Sequence, residues 1–273
     1  MKTLRYFFLF TVLAVFTNCA DDDTPEVVTQ IDSRLFDIAS FNNSGIFGSA
    51  NFIKNSNNTV TIQVNLVGTT DGELYPAHIH FNTAAESGAI AVSLESVDGT
   101  TGQSETTFNT LDDGTPISYE ALLDYDGHFV VHQSETNNAI VAQSDIGQNE
   151  LTTNSMTYPL NEVDLTDVSG SITFTERING EALAVISLSG SPAGGVHPAH
   201  IHVGSVATAP GAILFTFASV NGTTGISRTN VDALDDGTPF GYSDILSVDG
   251  YVNVHLSATN LGFLIAQGNV GVN

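Results

Sequence analysis

The sequence predicts an all-β chain built as two tandem β-sandwiches, and three observations point to it. Its segments recur in order at a near-constant offset, apolar residues within each copy alternate with period two, and turn residues cut the chain into short runs. "GSANF" (48–52) matches "GSITF" (170–174), and "AHIH" (77–80) matches "AHIH" (199–202), both 122 residues apart. "DGTTG" (98–102) then matches "NGTTG" (221–225), "LDDGTP" (111–116) matches "LDDGTP" (234–239), and "DGHFVVH" (126–132) matches "DGYVNVH" (249–255). "IVAQ" (140–143) and "LIAQ" (264–267) close the series at an offset of 124.

The first nineteen residues read as a leader. Lys2 and Arg5 precede an apolar run from Tyr6 to Phe16, too short to span a bilayer, and Cys19 follows it. The position of this single cysteine resembles the lipobox of bacterial lipoproteins, which implies a lipid on Cys19, a membrane partner through that anchor, and an outer-membrane or cell-surface location. Residues 20–31, with "ADDDTPE", read as an acidic tether. With no second cysteine, disulfides are excluded and stability must come from core burial.

The first sandwich is expected over 32–150 and the second over 151–273, divided at the polar segment "GQNELTTNS". "TVTIQVNLVG" (59–68) alternates Val60, Ile62, Val64 and Leu66 with polar residues, a strand with one wet face, and "ALAVISLSG" (182–190) is its second-copy partner. "AIAVSLES", "FVVHQS" and "AIVAQS" give further short strands bounded by turn residues, and only "PISYEALLDYDG" (116–127) reads as helix, for about two turns. Six Lys plus Arg stand against thirty Asp plus Glu, a net charge of −24. Such a surface repels phosphate backbones, so nucleic acid is excluded as a partner, while cations are concentrated.

All eight histidines fall in four windows. Both copies share a His-X-His pair and one downstream histidine: His78, His80 and His132 in the first, His200, His202 and His255 in the second. Strand residues two apart project to one face, so each imidazole pair points the same way while Ala77, Ile79, Ala199 and Ile201 point into the core. Two imidazoles and a third from a neighbouring strand form a site for copper, with zinc as the alternative, one ion per copy. Three protein ligands leave a coordination position open, as in reactive rather than sealed sites. Such a site requires the three nitrogens within about 3 to 4 Å of one another. The alternative is a hydrogen-bonded polar cluster that orders loops or responds to pH. His128 and His197 are unshared and are candidate extra ligands or wet surface positions. The paired aspartates of "LDDGTP" (Asp112, Asp113, Asp235, Asp236) read as turn residues.

Across most of its length the second copy resembles the CHRD (chordin) domain, through "LNEVDLTDVSGSITF" (160–174), "AHIHVG" and "SVDGYVNVHL" (247–256); the first copy is similar but has "DIASFNNSG" where the second has the "NEV" segment. The resemblance implies an immunoglobulin-like β-sandwich and no particular activity. A fainter likeness is to copper-zinc superoxide dismutase, a Greek-key β-sandwich, carried by "AHIH", "VVH" (130–132), "NVHLSATNLG" (253–262) and "GNVGVN" (268–273). It implies copper-ligand positions for the two histidine triads. No histidine lies between His80 and His128 or between His202 and His255, so the bridging ligand and the zinc site of that family have no counterpart, and Asn273 stands where it has an arginine. The sequence-level expectation is therefore a metal-binding, non-catalytic lipoprotein. Its alternatives are a copper-dependent redox enzyme of the dismutase type and a metal-free adhesive display module, and no protein or glycan partner is indicated.

Overall fold

The computed structural model describes residues 27–273, so the leader, Cys19 and the start of the acidic tether lie outside the described residues. Eight strands form the first unit: β1 (Gln30–Ser40), β2 (Phe47–Asn55), β3 (Val60–Val67), β4 (Leu74–Phe81), β5 (Ile90–Asp98), β6 (Gln103–Phe108), β7 (Asp126–Ser134) and β8 (Asn137–Gly147). A short helix α1 (Tyr119–Leu123) lies between β6 and β7. The second unit repeats the set with β9 (Leu151–Glu162), β10 (Ser169–Arg177), β11 (Ala182–Ser189), β12 (Val196–Val203), β13 (Ile213–Asn221), β14 (Ile226–Val231), β15 (Asp249–Ser257) and β16 (Asn260–Gly271), and α2 (Tyr242–Ile245) matches α1. Among the described residues no helix is long and apolar enough to cross a membrane.

Each unit is an antiparallel sheet whose hydrogen-bonded order closes on itself. The order is β1-β2-β3-β6-β5-β4-β7-β8 in the first and, strand for strand, β9-β10-β11-β14-β13-β12-β15-β16 in the second. The all-β expectation holds, and each eight-stranded sheet forms a closed, barrel-like unit. The closure is thin: β1 meets β8 through Ala39↔Gln143 and Ser40↔Ala142, and β5 meets β6 through Asp98↔Gln103. The second barrel has the same two seams, at Ala266↔Glu162 with Gln267↔Asn161 and at Asn221↔Ile226. Long registers run between the seams, for example over eight residue pairs between β2 and β3.

The core follows the period-two pattern. Ile62, Val64 and Leu66 of β3 turn inward with Phe52, Ala77 and Ile79, and Ile186, Leu188, Phe174, Ala199 and Ile201 repeat the arrangement. The recurrent "GTTG" is the turn from β5 into β6 and from β13 into β14. Asp98 Oδ1 accepts from the N–H groups of Thr100 and Thr101, Asn221 Oδ1 from those of Thr223 and Thr224, and the closing Gly102 and Gly225 take φ of 72° and 71°, which glycine adopts without steric cost.

Three boundaries differ from the expectation. β1 starts at Gln30, inside the expected tether, because Gln30 pairs with Asn55 and Asp32 with Lys54. Most of "GQNELTTNS" is strand: Ser155 pairs with Thr175 and Leu151 with Arg177, and the segment reads as a linker because β9 is largely exposed. The predicted two-turn helix shrinks to five residues, capped by Ser118 Oγ accepting from Ala121 N–H.

Arg177 is completely buried where the barrels meet. Its Nη1 donates to Asp145 Oδ2 at 2.7 Å and to Asn149 O at 2.6 Å in the first barrel, and its Nε to Asn230 Oδ1 at 2.7 Å in its own. Removing one partner of a buried pair leaves the other charge uncompensated and costs about 3–5 kcal/mol. Arg34 and Glu150 also pair but are part-exposed, where about 1 kcal/mol or less is expected. Arg177→Ala should therefore lower the unfolding free energy in urea by roughly 3–5 kcal/mol, and Arg34→Ala by much less; equal losses would contradict this ranking.

Candidate metal centre

Each histidine pair sits on a strand flanked on both sides: β4 between β5 and β7, β12 between β13 and β15. Ala77, Ile79, Ala199 and Ile201 are fully buried in the barrel interiors, so the intervening imidazoles face outward. The third histidine comes from the adjacent strand, His132 on β7 and His255 on β15.

A β-bulge marks His80, His132, His202 and His255. On the β4–β5 side Ile79 pairs with Val92 but His80 with Ile90, and on the β7–β8 side Val131 pairs with Ala142 but His132 with Ile140. The second barrel repeats both shifts, Ile201↔Phe215 to His202↔Ile213 and Val254↔Ala266 to His255↔Leu264. An extra residue on the partner strand bends the ladder and re-aims the side chain opposite it.

The side chains converge. In each barrel one nitrogen from each of the three histidines lies within 4.8 Å of the others. Ring centroids of His78–His80, His78–His132 and His80–His132 are 5.7, 5.3 and 6.3 Å apart, and those of His200–His202, His200–His255 and His202–His255 are 5.8, 5.2 and 6.3 Å. Two nitrogens each about 2.0–2.1 Å from one ion are at most about 4.2 Å apart. The bound of 4.8 Å is looser than the roughly 3 to 4 Å expected of ligands on one ion.

Hydrogen bonds decide which nitrogens are free. His80 Nδ1 lies 2.9 Å from Gly88 O, His132 Nδ1 3.0 Å from Asn138 O, His202 Nδ1 2.9 Å from Gly211 O, and His255 Nδ1 2.7 Å from Leu261 O. A carbonyl only accepts, so each Nδ1 carries the proton and each neutral ring leaves its Nε2 lone pair available. Nε2 of His80 and His202 and Nδ1 of His78 and His200 are buried without a hydrogen-bond partner. Buried polar atoms are rarely left unpaired. In both barrels these unpartnered nitrogens belong to the clustered histidines, and the donor set fits a borderline-soft divalent ion such as copper or zinc.

Electrostatics disfavour the charged form of three of the clustered rings. Burial holds the His78 imidazole below its ordinary pKa, with repulsion from His132 and His80 adding and Asp112 opposing. Burial likewise lowers His200, aided by His255 and His202 and opposed by Asp235. His255 is lowered by burial and by His202 against its bond to Leu261 O.

Loops close over this face. Ala84 N–H donates to Asp145 Oδ1 at 2.7 Å and Val206 N–H to Asn269 Oδ1 at 2.8 Å, strapping each β4–β5-type loop across β8 or β16. The first aspartate of "LDDGTP" does more than turn the chain. Asp112 accepts from Ser93 N–H and Oγ–H, Asp235 from Thr216 N–H and Oγ1–H, and Ser93 and Thr216 are the strand partners of His78 and His200. Recurrence of the motif was the available signal. Asp113 and Asp236 keep the turn role, accepting from Thr115 and Thr238 N–H.

His128 and His197 join neither triad, and neither is a wet surface residue. His128, 3 % exposed, stacks on His80 with centroids 5.2 Å apart and donates from Nδ1 to Asn82 O. His197 is fully buried on the core side of β12, sharing the parity of Ala199, with Nδ1 bound to Leu256 O. Their counterparts are Tyr251, stacked on His202 at 5.2 Å, and Tyr75, buried in the first core.

Comparison with known proteins found no matching family model, no matching curated protein and no matching solved structure.

The lowered pKa values fix a pH dependence. Below the unfolded value of about 6.5 the unfolded chain binds protons that the folded imidazoles resist, so stability rises with pH in that window. The metal-free protein should hold its melting temperature above pH 7 and lose it progressively from about pH 6.5 downward. A flat profile between pH 7.5 and 5 would count against neutral, clustered imidazoles.

Proposed function

We propose that the chain is a lipid-anchored protein of the outer membrane or cell surface whose two CHRD-like domains each bind one copper ion, with zinc as the alternative, without turning it over. The observation that supports metal binding is the pair of histidine triads, each with one nitrogen per ring within 4.8 Å of the others and with two buried ring nitrogens left without a partner. His78, His80 and His132 would hold one ion, and His200, His202 and His255 the other. The lipid would be carried by Cys19.

The Greek-key sandwich reading draws on the order β7-β4-β5-β6, in which three consecutive strands are joined in sequence and the next returns beside the first. The thin seams β1/β8 and β5/β6 divide the ring into two four-stranded layers, consistent with a flattened sandwich. A binding role is favoured over dismutation because the charged groups acting on His78 and His200 are the carboxylates Asp112 and Asp235, which repel an anionic substrate and favour a cation.

Metal-free protein titrated with copper(II) or zinc should take two ions per chain, and His200→Ala with His202→Ala should reduce this to one. Unchanged stoichiometry in that variant, or no uptake by the parent protein, would overturn the proposal.

A further inference from the structure

The two histidine triads share their geometry but not their surroundings. In the second barrel His202 and His255 are 9 % and 6 % exposed, whereas all three histidines of the first triad are part-exposed. The ring stacked behind the His-X-His pair also differs. Tyr251 lies on His202 at an interplanar angle of 17°, and its hydroxyl accepts the Gly211 N–H at 2.8 Å. Gly211 is also the residue whose carbonyl holds His202 Nδ1. Tyr251, Gly211 and His202 thus form a closed unit in which stacking and two hydrogen bonds fix the covering loop onto the ligand.

The first barrel lacks this closure. His128 lies on His80 at 30°, and its Nδ1–H goes to Asn82 O at the start of the loop, away from the Gly88 carbonyl that holds His80. Each loop carries a capped turn of its own, with Thr83 N–H donating to Glu86 Oε2 in the first and Ser205 N–H to Thr208 Oγ1 in the second, so the tyrosine clamp is what distinguishes them.

Resting on the metal-binding reading, we propose that the two sites are kinetically unlike: the first is an exchanging site whose part-exposed rings competing ligands reach more readily, and the second is a retaining site shut by the tyrosine-clamped loop. An ion leaves a multidentate site through partly dissociated states in which an imidazole swings away and a competing ligand enters. In the second barrel the swing of His202 must break its bond to Gly211 while Tyr251 holds that glycine in place, and local opening of the loop is correspondingly rarer. One net hydrogen bond together with lost solvent access is worth on the order of tenfold in rate. The chain would then hold one divalent ion as a resident and pass the other on.

The test loads the full-length protein with two zinc ions and follows their release into excess of a chromogenic chelator, 4-(2-pyridylazo)resorcinol. Two phases of equal amplitude, about tenfold or more apart, are expected. The slow phase should vanish in His200→Ala/His202→Ala and the fast one in His78→Ala/His80→Ala. Tyr251→Phe, which keeps the stacked ring and removes only the acceptor for Gly211 N–H, should accelerate the slow phase toward the fast one while circular dichroism and two-ion loading stay unchanged. Two ions released in a single phase, a slow phase that belongs to the first barrel, or a Tyr251→Phe slow phase at the parent rate would each overturn the proposal and leave metal binding standing. A chain that takes up no zinc would overturn both.

Discussion

A β-strand hands alternate side chains to opposite faces, and this constraint on β4 and β12 governs everything built around them. Ala77 and Ile79 close the first barrel's interior, so His78 and His80 must lie outside it. Once outside, an imidazole still needs its Nδ1–H satisfied, and most of the sheet's backbone groups are spent on the ladder. The acceptors come from chain that folds back: Gly88 and Asn138 in one barrel, Gly211 and Leu261 in the other. Loop paths, bulges and the straps to Asp145 and Asn269 are consequences of keeping the chemistry on the outer surface of a filled barrel.

Much of this was legible in the sequence, and what was not has a physical reason. The doubled segments and the period of two gave the strands, and parity alone gave the outward histidines and the inward Ala77 and Ile79. Parity also contained the burial of His197, which is an even number of residues from Ala199 and Ile201. The burial of His128 was not available in this way, since it shares the outer face with His132 and is hidden by a loop whose path depends on Asp145 sixty residues away in sequence. Barrel closure was equally silent, because two residue pairs between β1 and β8 leave no compositional trace. β9 read as a linker because its polar residues satisfy an exposed strand as well as they satisfy coil.

Comparison of the two barrels separates roles from residue types. A buried ring at the start of the histidine strand is kept, but as Tyr75 it accepts from Thr70 N–H and as His197 it donates to Leu256 O. A ring behind the second histidine of the pair is kept, as His128 or Tyr251. The strap acceptor is kept as Asp145 or Asn269, and the carboxylate beside the first histidine of the pair is kept unchanged. Ring shape has been held at the two ring positions while hydrogen-bond partners and charge were free to vary, and the carboxylate has been held at Asp112 and Asp235.

That freedom has been used once to join the halves. Asp145 presents one oxygen to Ala84 of the loop over the first triad and the other to the buried Arg177 of the second barrel. Asn269, its counterpart, is neutral and makes only the strap. The repeat is therefore not divisible into two like parts: cut between β8 and β9, the first half would keep an aspartate stripped of its counter-charge beneath the loop of its histidine cluster, while the second would expose a guanidinium and leave its own cluster untouched. Duplication made the barrels alike, and a single carboxylate in place of an amide made one of them the dependent.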